Sequence, residues 1–239
     1  DQGGWPTRWW SVGDEVTNYY VLNLPVGVPP LKYRLSVVVY SERTQQALDW
    51  LDEAGVPAGQ SLVLGSLQVA PAVASPGVAP LPAEFTPLCS EVASGLVLEG
   101  FAPEKLEVAP GQRVRVGLRW RAEQGDLPAY QPHLYLRQDG AVLAEARGAP
   151  ANGRYPTTAW AAGERVLEWR DLLVPPDAPE GPAVVEIAVG DGPISSLTRV
   201  QVQPRARLFT APPMAYSVEA HFGGFVELLG YDLSALETT

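Results

Sequence analysis

The side chains best suited to hold a ligand are aromatic, and they crowd one short stretch. "GGWPTRWWSVGDEV", residues 3–16, carries Trp5, Trp9 and Trp10, and Tyr19 and Tyr20 follow. A sugar ring presents C–H groups on one face, and these stack on an exposed indole or phenol while nearby carboxylates and amides bind the hydroxyls. Almost the same phrase returns as "GRYPTTAWAAGERV", residues 153–166, with Tyr155 in the place of Trp5 and Ala159 in the place of Trp9. A tryptophan whose counterpart is alanine does not serve packing common to both copies, so Trp9 is the ring freest to act as a platform. Trp5, Trp9, Tyr19 and Tyr155 are therefore the candidate carbohydrate-binding residues. Trp10 and Trp160, alike in both copies, read instead as buried plugs at equivalent sites, each followed by a glycine that turns the chain into a strand.

Other chemistries find less material. His133 and His221 are the only histidines, and neither has a neighbour at metal-ligand spacing along the chain. Asp49, Asp52 and Glu53 lack the alternate-residue spacing of a calcium loop and read as a solvated acidic turn. No metal and no cofactor is expected. Cys89 is the single cysteine, so there is no internal disulfide framework, and no histidine adjoins it to make a nucleophile. There is no G-x-S-x-G and no glycine-rich phosphate loop after a strand, and no catalytic residue is assigned. A carboxylate pair for glycoside hydrolysis has no local signature, which keeps an unrecognised hydrolase as a remote alternative. The net charge of −10, without a basic stripe, speaks against nucleic acid and anionic lipid surfaces. No run of 18 apolar residues occurs. The chain opens at Asp1 with neither Met nor a signal peptide, as expected of a segment of a longer protein.

The elements that must position these residues read as strands. The 239 residues include 24 Pro and 23 Gly, frequent punctuation of the kind that separates short strands. "RVRVGLRWRA" (113–122) alternates apolar and arginine, the period of a half-buried strand. "HLYLRQ" and "AVLAEA" flank Asp139-Gly140, a type I′ hairpin signal. Shifting the chain by 150 lays residues 3–40 on 153–190 without a gap, with identities that include Pro6/Pro156, Trp10/Trp160 and Gly13/Gly163, and with Tyr19 opposite Trp169. A second echo, at a shift of 130, places "GLVLEGF" (95–101) on "FVELLGYDL" (225–233). The chain then holds the late part of one repeat, a complete second repeat and the early part of a third. The expected fold is all-β, with two antiparallel, immunoglobulin-like β-sandwich domains. Residues 1–71, with strands near 16–24, 33–40 and 62–69, form the late part of repeat one and are completed by the C-terminal strands of 205–239. Residues 72–83 form a Pro/Ala linker, and 84–204 the complete repeat two. Residues 41–55 leave room for a helical turn or two.

The pieces "WPTRWWSVGDEV", "LPVGVPPLKYRLSVVVY", "LVLGSLQV" and "FVELLGYDL" resemble β-sandwich repeats that follow the membrane-spanning part of large bacterial glycosyltransferases of the dolichyl-phosphate-mannose protein mannosyltransferase type. The resemblance covers residues 1–71 and 84–239. It implies a non-catalytic accessory region on the extracytoplasmic side of a bacterial membrane, within a larger exported or membrane-anchored chain. Its partners would be the membrane domain of that chain and a glycan or lipid-linked sugar, and its role domain contact, spacing or glycan contact. In that family the transfer chemistry sits in the membrane domain, which this sequence does not include. The alternative is a stand-alone carbohydrate-binding module.

Overall fold

A computed structural model describes residues 9–70, 80–204, 213–224 and 226–232. Nine strands between Thr86 and Val202 build one complete sandwich. They are β3 (Thr86–Ala93), β4 (Leu96–Pro103), β5 (Glu107–Val108), β6 (Arg113–Ala122), β7 (Pro132–Gln138), β8 (Ala141–Arg147), β9 (Arg165–Leu173), β10 (Gly181–Val189) and β11 (Ser195–Val202). One sheet runs β3–β4–β6–β9, the other β5–β11–β10–β7–β8. All neighbours are antiparallel except β5, which lies parallel to β11. Alternation sets the layers. Val114, Val116, Leu118 and Trp120 of β6 point inward and meet Leu134, Leu136, Val185 and Ile187 from the facing sheet. Asp139 and Gly140 both take positive φ, as the sequence pattern requires of a type I′ turn. Strand β3 escapes the sequence pattern because Pro87 and a bulge interrupt its alternation, and β5 because it is two residues long.

Residues 80–85 also belong to this domain. Pro80 accepts a hydrogen bond from the buried Arg119 guanidinium (2.6 Å), and Phe85 is buried over Gly117. The last residues of the composition-defined linker thus pack on the outer face of the four-stranded sheet; residues 72–79 lie outside the described ones.

Ahead of the sandwich, β1 (Lys32–Val37) pairs with β2 (Leu62–Gln68) in a two-stranded sheet. Residues 16–24 form no strand, a correction to the expected one. Their counterpart β9 owes its ladder to β6, and residues 9–70 contain no counterpart of β6. Residues 41–55 form turns and single bridges, Tyr40 to Ala47 and Leu51 to Pro57, in place of a helical turn. Residues 1–203 make up one compact unit and 204–239 a second. In the second, β12 (Tyr216–Phe222) pairs with β13 (Val226–Tyr231).

The ladders establish the repeat residue by residue. In β1–β2 the pairs Tyr33–Leu67 and Leu35–Gly65, a register shift after Leu35, then Ser36–Val63 and Val37–Leu62, repeat in β10–β11 as Ala183–Val200, Val185–Thr198, a shift after Val185, Glu186–Ser196 and Ile187–Ser195. In β12–β13 the pairs Tyr216–Tyr231, Ser217–Gly230, Ala220–Leu228 and His221–Glu227 repeat those of β3–β4, namely Thr86–Phe101, Pro87–Gly100, Ser90–Leu98 and Glu91–Val97. The shift after Leu35 recurs after Val185, and that after Pro87 recurs after Ser217, as inherited features of a repeated unit do; the further shift of β3–β4 at Glu91/Ala93 has no counterpart in β12–β13.

Candidate functional site

Strand β9 is the outermost strand of its sheet, and the segment before β1 closes on it. The Gly27 carbonyl accepts the Leu167 N–H at 2.7 Å. Gly27 has φ +101°, and a Cβ there would stand 3.2 Å from backbone atoms of Arg165 and Leu167, so only glycine brings the chain this close. Nearby, Arg154 Nη2 donates to the Lys32 carbonyl (3.1 Å). Between these two ties lies a crevice of about 350 Å³, with Val28, Pro29, Tyr33, Asn152, Arg154 and Trp169 on its walls. Its size falls at the lower end of the range for small-molecule sites.

Each wall has a local cause. Along β9, Leu167, Trp169 and Asp171 face outward while Val166, Glu168, Arg170 and Leu172 face the core side. Trp169 lies across β6 because residue 117 is glycine; a Cβ there would meet the indole at 3.0 Å and the Phe85 ring at 2.8 Å. Phe85 braces Trp169 edge-on, with centroids 6.1 Å apart, and the indole stays 42% exposed. Tyr33 donates its hydroxyl to the Pro29 carbonyl (3.0 Å), and burial raises its pKa against the opposing pull of Arg154. Asn152 sits in the left-handed region (φ +55°), a conformation asparagine tolerates better than most residues. Its exposed carboxamide makes no hydrogen bond among the described residues.

Beneath the crevice, Glu168 is committed to the fold. Its carboxylate accepts from Trp120 Nε1 (2.8 Å) and the Ala151 N–H (3.1 Å), and lies 3.2 Å from Arg170 Nε. The guanidinium of Arg170 goes on to donate to the Pro132 and Gly148 carbonyls (3.2 and 2.7 Å). Two aromatic walls, a free amide and a guanidinium above a locked base can hold a ring by stacking and fix its polar edge by hydrogen bonds.

The recurring phrase is a fastening in its second copy. Trp160 is buried and donates to the Tyr155 carbonyl (3.2 Å), and Thr157 is buried and accepts the Tyr130 N–H (3.0 Å). Tyr155 is half-buried, stacks on Trp160 and donates its hydroxyl to Glu164 (2.7 Å). Burial first, and then that bond to a carboxylate, push its pKa well above the ordinary phenol value. In the first copy Trp10 is 37% exposed, against 2% for Trp160, so the expected equivalence of burial fails. Trp160 is enclosed by both sheets of a complete sandwich; residues 9–70 supply one sheet of two strands. Trp9 (59%) and Tyr19 (85%) are exposed, and Trp5 lies outside the described residues.

Sequence reasoning missed Trp169 as a site residue. The signal was available: Tyr19, a candidate ring, is its counterpart in the repeat. It also missed a grouping on the terminal hairpin. Glu219, His221 and Glu227 are exposed and bring their ligating atoms within 4.8 Å of one another. Spacing along the chain hides it because Glu227 reaches His221 across the ladder. His133, on the outer face of β7, is taken up by Glu145 (3.1 Å) and by Tyr135 (2.7 Å), whose ring stacks on it. The Cys89 thiol is exposed.

Fold and site together define a β-sandwich protein with an aromatic-walled crevice at one sheet edge. No family model and no curated protein matches the chain. Among solved structures, the C-terminal domain of Wzt is similar over 59% of this chain and 90% of that one, at 13% identity and a TM-score of 0.36. Spo0M, a sporulation control protein from Bacillus subtilis, is similar over 44% of this chain, which spans about half of Spo0M (48%), at 17% identity and a TM-score of 0.31.

Proposed function

We propose that this chain is a non-catalytic β-sandwich region that contacts a glycan through the crevice between Tyr33 and Trp169. It would serve a larger exported or membrane-anchored glycosyltransferase-like protein on the extracytoplasmic face of a bacterial membrane. The observation that carries the reading is the crevice: a braced, half-exposed indole facing a tyrosine, with the free amide of Asn152 and the Arg154 guanidinium at its rim. The carboxylate in its wall, Glu168, is spent on two donors and one guanidinium of the fold, which suits a binding site better than a hydrolytic one. The repeat phrases support membership in a tandem β-sandwich array.

Saturation-transfer NMR against a panel of neutral and acidic oligosaccharides tests the reading. Binding is expected for at least one saccharide, with loss in Trp169→Ala and weakening in Asn152→Ala, while Trp9→Ala leaves it unchanged. Binding that survives Trp169→Ala but is lost in Trp9→Ala moves the site to the N-terminal aromatic segment. No binding across the panel overturns the glycan reading and leaves spacing or domain contact.

A further inference from the structure

The two hairpins outside the sandwich expose the faces that the sandwich buries. In the complete domain, Val185 and Ile187 of β10 and Leu197 and Val200 of β11 are 0 to 9% exposed. The matched registers make Leu35, Val37, Leu64 and Leu67 their counterparts on β1–β2, and these are 36, 42, 57 and 45% exposed. On the other side of the core, Leu96, Leu98 and Phe101 of β4 are buried. Their counterparts on β13, Val226, Leu228 and Tyr231, are 61, 39 and 42% exposed. Phe222, which pairs with Val226 as Ala93 pairs with Leu96, is exposed as well. Charge sits on the opposite face of that hairpin, with Glu219, His221 and Glu227. Each hairpin is therefore amphipathic, and its apolar side is a core surface by descent. Contiguous apolar patches of this kind mark interaction sites.

The complete sandwich also shows what fits on each face. There, β10–β11 and β3–β4 belong to opposite sheets and meet across one core. The natural cover for a β1–β2 face is thus a β3–β4-type hairpin, and β12–β13 is one. We propose that the β1–β2 face of this chain is a docking surface for the β12–β13 hairpin of a second copy, stacked sheet on sheet. One copy presents the face and the other presents the hairpin, so the contact is head-to-tail. Each bound copy still offers one free face, and association can continue. The face adjoins the glycan crevice, because Leu67 pairs with its Tyr33, but Trp169 and Asn152 have no part in the dock, so Trp169→Ala separates the two readings.

Complementing variants test it by sedimentation velocity over a wide concentration range. Leu35→Lys with Val37→Lys disables the face; Leu228→Lys with Tyr231→Lys disables the hairpin. All four positions are exposed, and near-UV dichroism from Trp120 and Trp160 reports that the sandwich itself remains folded. Wild-type protein is expected to grow in mass with concentration. Each variant alone is expected to stay monomeric, and an equimolar mixture of the two to stop at twice the monomer mass, because one copy supplies the intact hairpin and the other the intact face. A wild-type protein that is monomeric throughout overturns the proposal, whether the cause is closure by its own hairpin or bare faces. So do variants that associate alone, which would point to another apolar patch, and a mixture that fails to pair.

Discussion

At the residue scale, the buried polar groups explain more of the molecule than its exposed aromatics do. Glu168 accepts from Trp120 and Ala151 and faces the Arg170 charge, so removing it leaves two donors without that acceptor and a buried guanidinium without its counter-ion. Glu168→Leu is expected to cost about 3–5 kcal/mol in urea unfolding, the usual range for breaking a buried ion pair on one side. Adding Arg170→Met should recover part of it and leave a deficit of about 2 kcal/mol, because Trp120 and Ala151 still lack their acceptor and the Pro132 and Gly148 carbonyls lose their donor. If the double variant is no more stable than the single one, the charge of Arg170 is not what the pair neutralises. On the exposed face, hydrogen bonds from Arg115 and then Arg113 hold the Asp171 carboxyl below its ordinary pKa. A carboxylate with a depressed folded-state pKa adds stability that is present above its unfolded pKa and fades as pH falls through the folded one. Arg115→Ala should therefore raise the Asp171 pKa in an NMR titration, with little change in stability at neutral pH because the pair is solvent-screened. The alternating arginines of β6 were legible in the sequence. Their partners were not, since Asp171, which pairs with Arg113 and Arg115, lies on β9 and Glu99, which pairs with Arg119 and Arg121, lies on β4.

At the element scale, the same phrase meets two fates because burial depends on what faces it. Trp160 plugs a two-sheet core, and Trp160→Ala should cost about 3–5 kcal/mol. Trp10→Ala, at a site 37% exposed against 2% for Trp160, should cost clearly less. Equal losses in the two variants would mean that Trp10 is enclosed in solution. Most strands of the complete repeat, though neither β3 nor β5, were readable from period-two alternation, as in β6, and from turn chemistry, as at Asp139-Gly140. What the alternation could not show is which strands find partners. Residues 16–24 have the composition of β9 yet form no strand, because a strand needs a ladder neighbour and β6 has no counterpart there. Likewise the crevice needs Gly27 against β9, a contact across about 140 residues of chain that no local pattern announces.

At the scale of the whole molecule, stability is concentrated in the middle. Every core side chain of the described residues lies between Phe85 and Val202, while β1–β2 and β12–β13 keep their apolar faces exposed. Two-stranded sheets with one open face are marginal in water, so neither hairpin should add to a cooperative core while it stands uncovered. The dependence of unfolding on denaturant then has a definite expectation. The slope of free energy against urea scales with the surface exposed on unfolding. For a chain of 239 residues in which the sandwich alone unfolds cooperatively, that slope should be about half the value for a fully packed globule of the same length. Measured at low protein concentration, deleting residues 204–239 should leave both slope and midpoint unchanged. Raising the concentration should move the full-length midpoint upward and leave the deletion variant where it was, because a copy without β12–β13 cannot cover its neighbour's face. Hydrogen exchange gives the same contrast by region: slow amides in β6, β9 and β10, fast ones in β1, β2, β12 and β13 when dilute, and protection of the latter four on association. A slope already equal to that of a fully packed 239-residue protein in dilute solution would show that the hairpins are covered within a single chain.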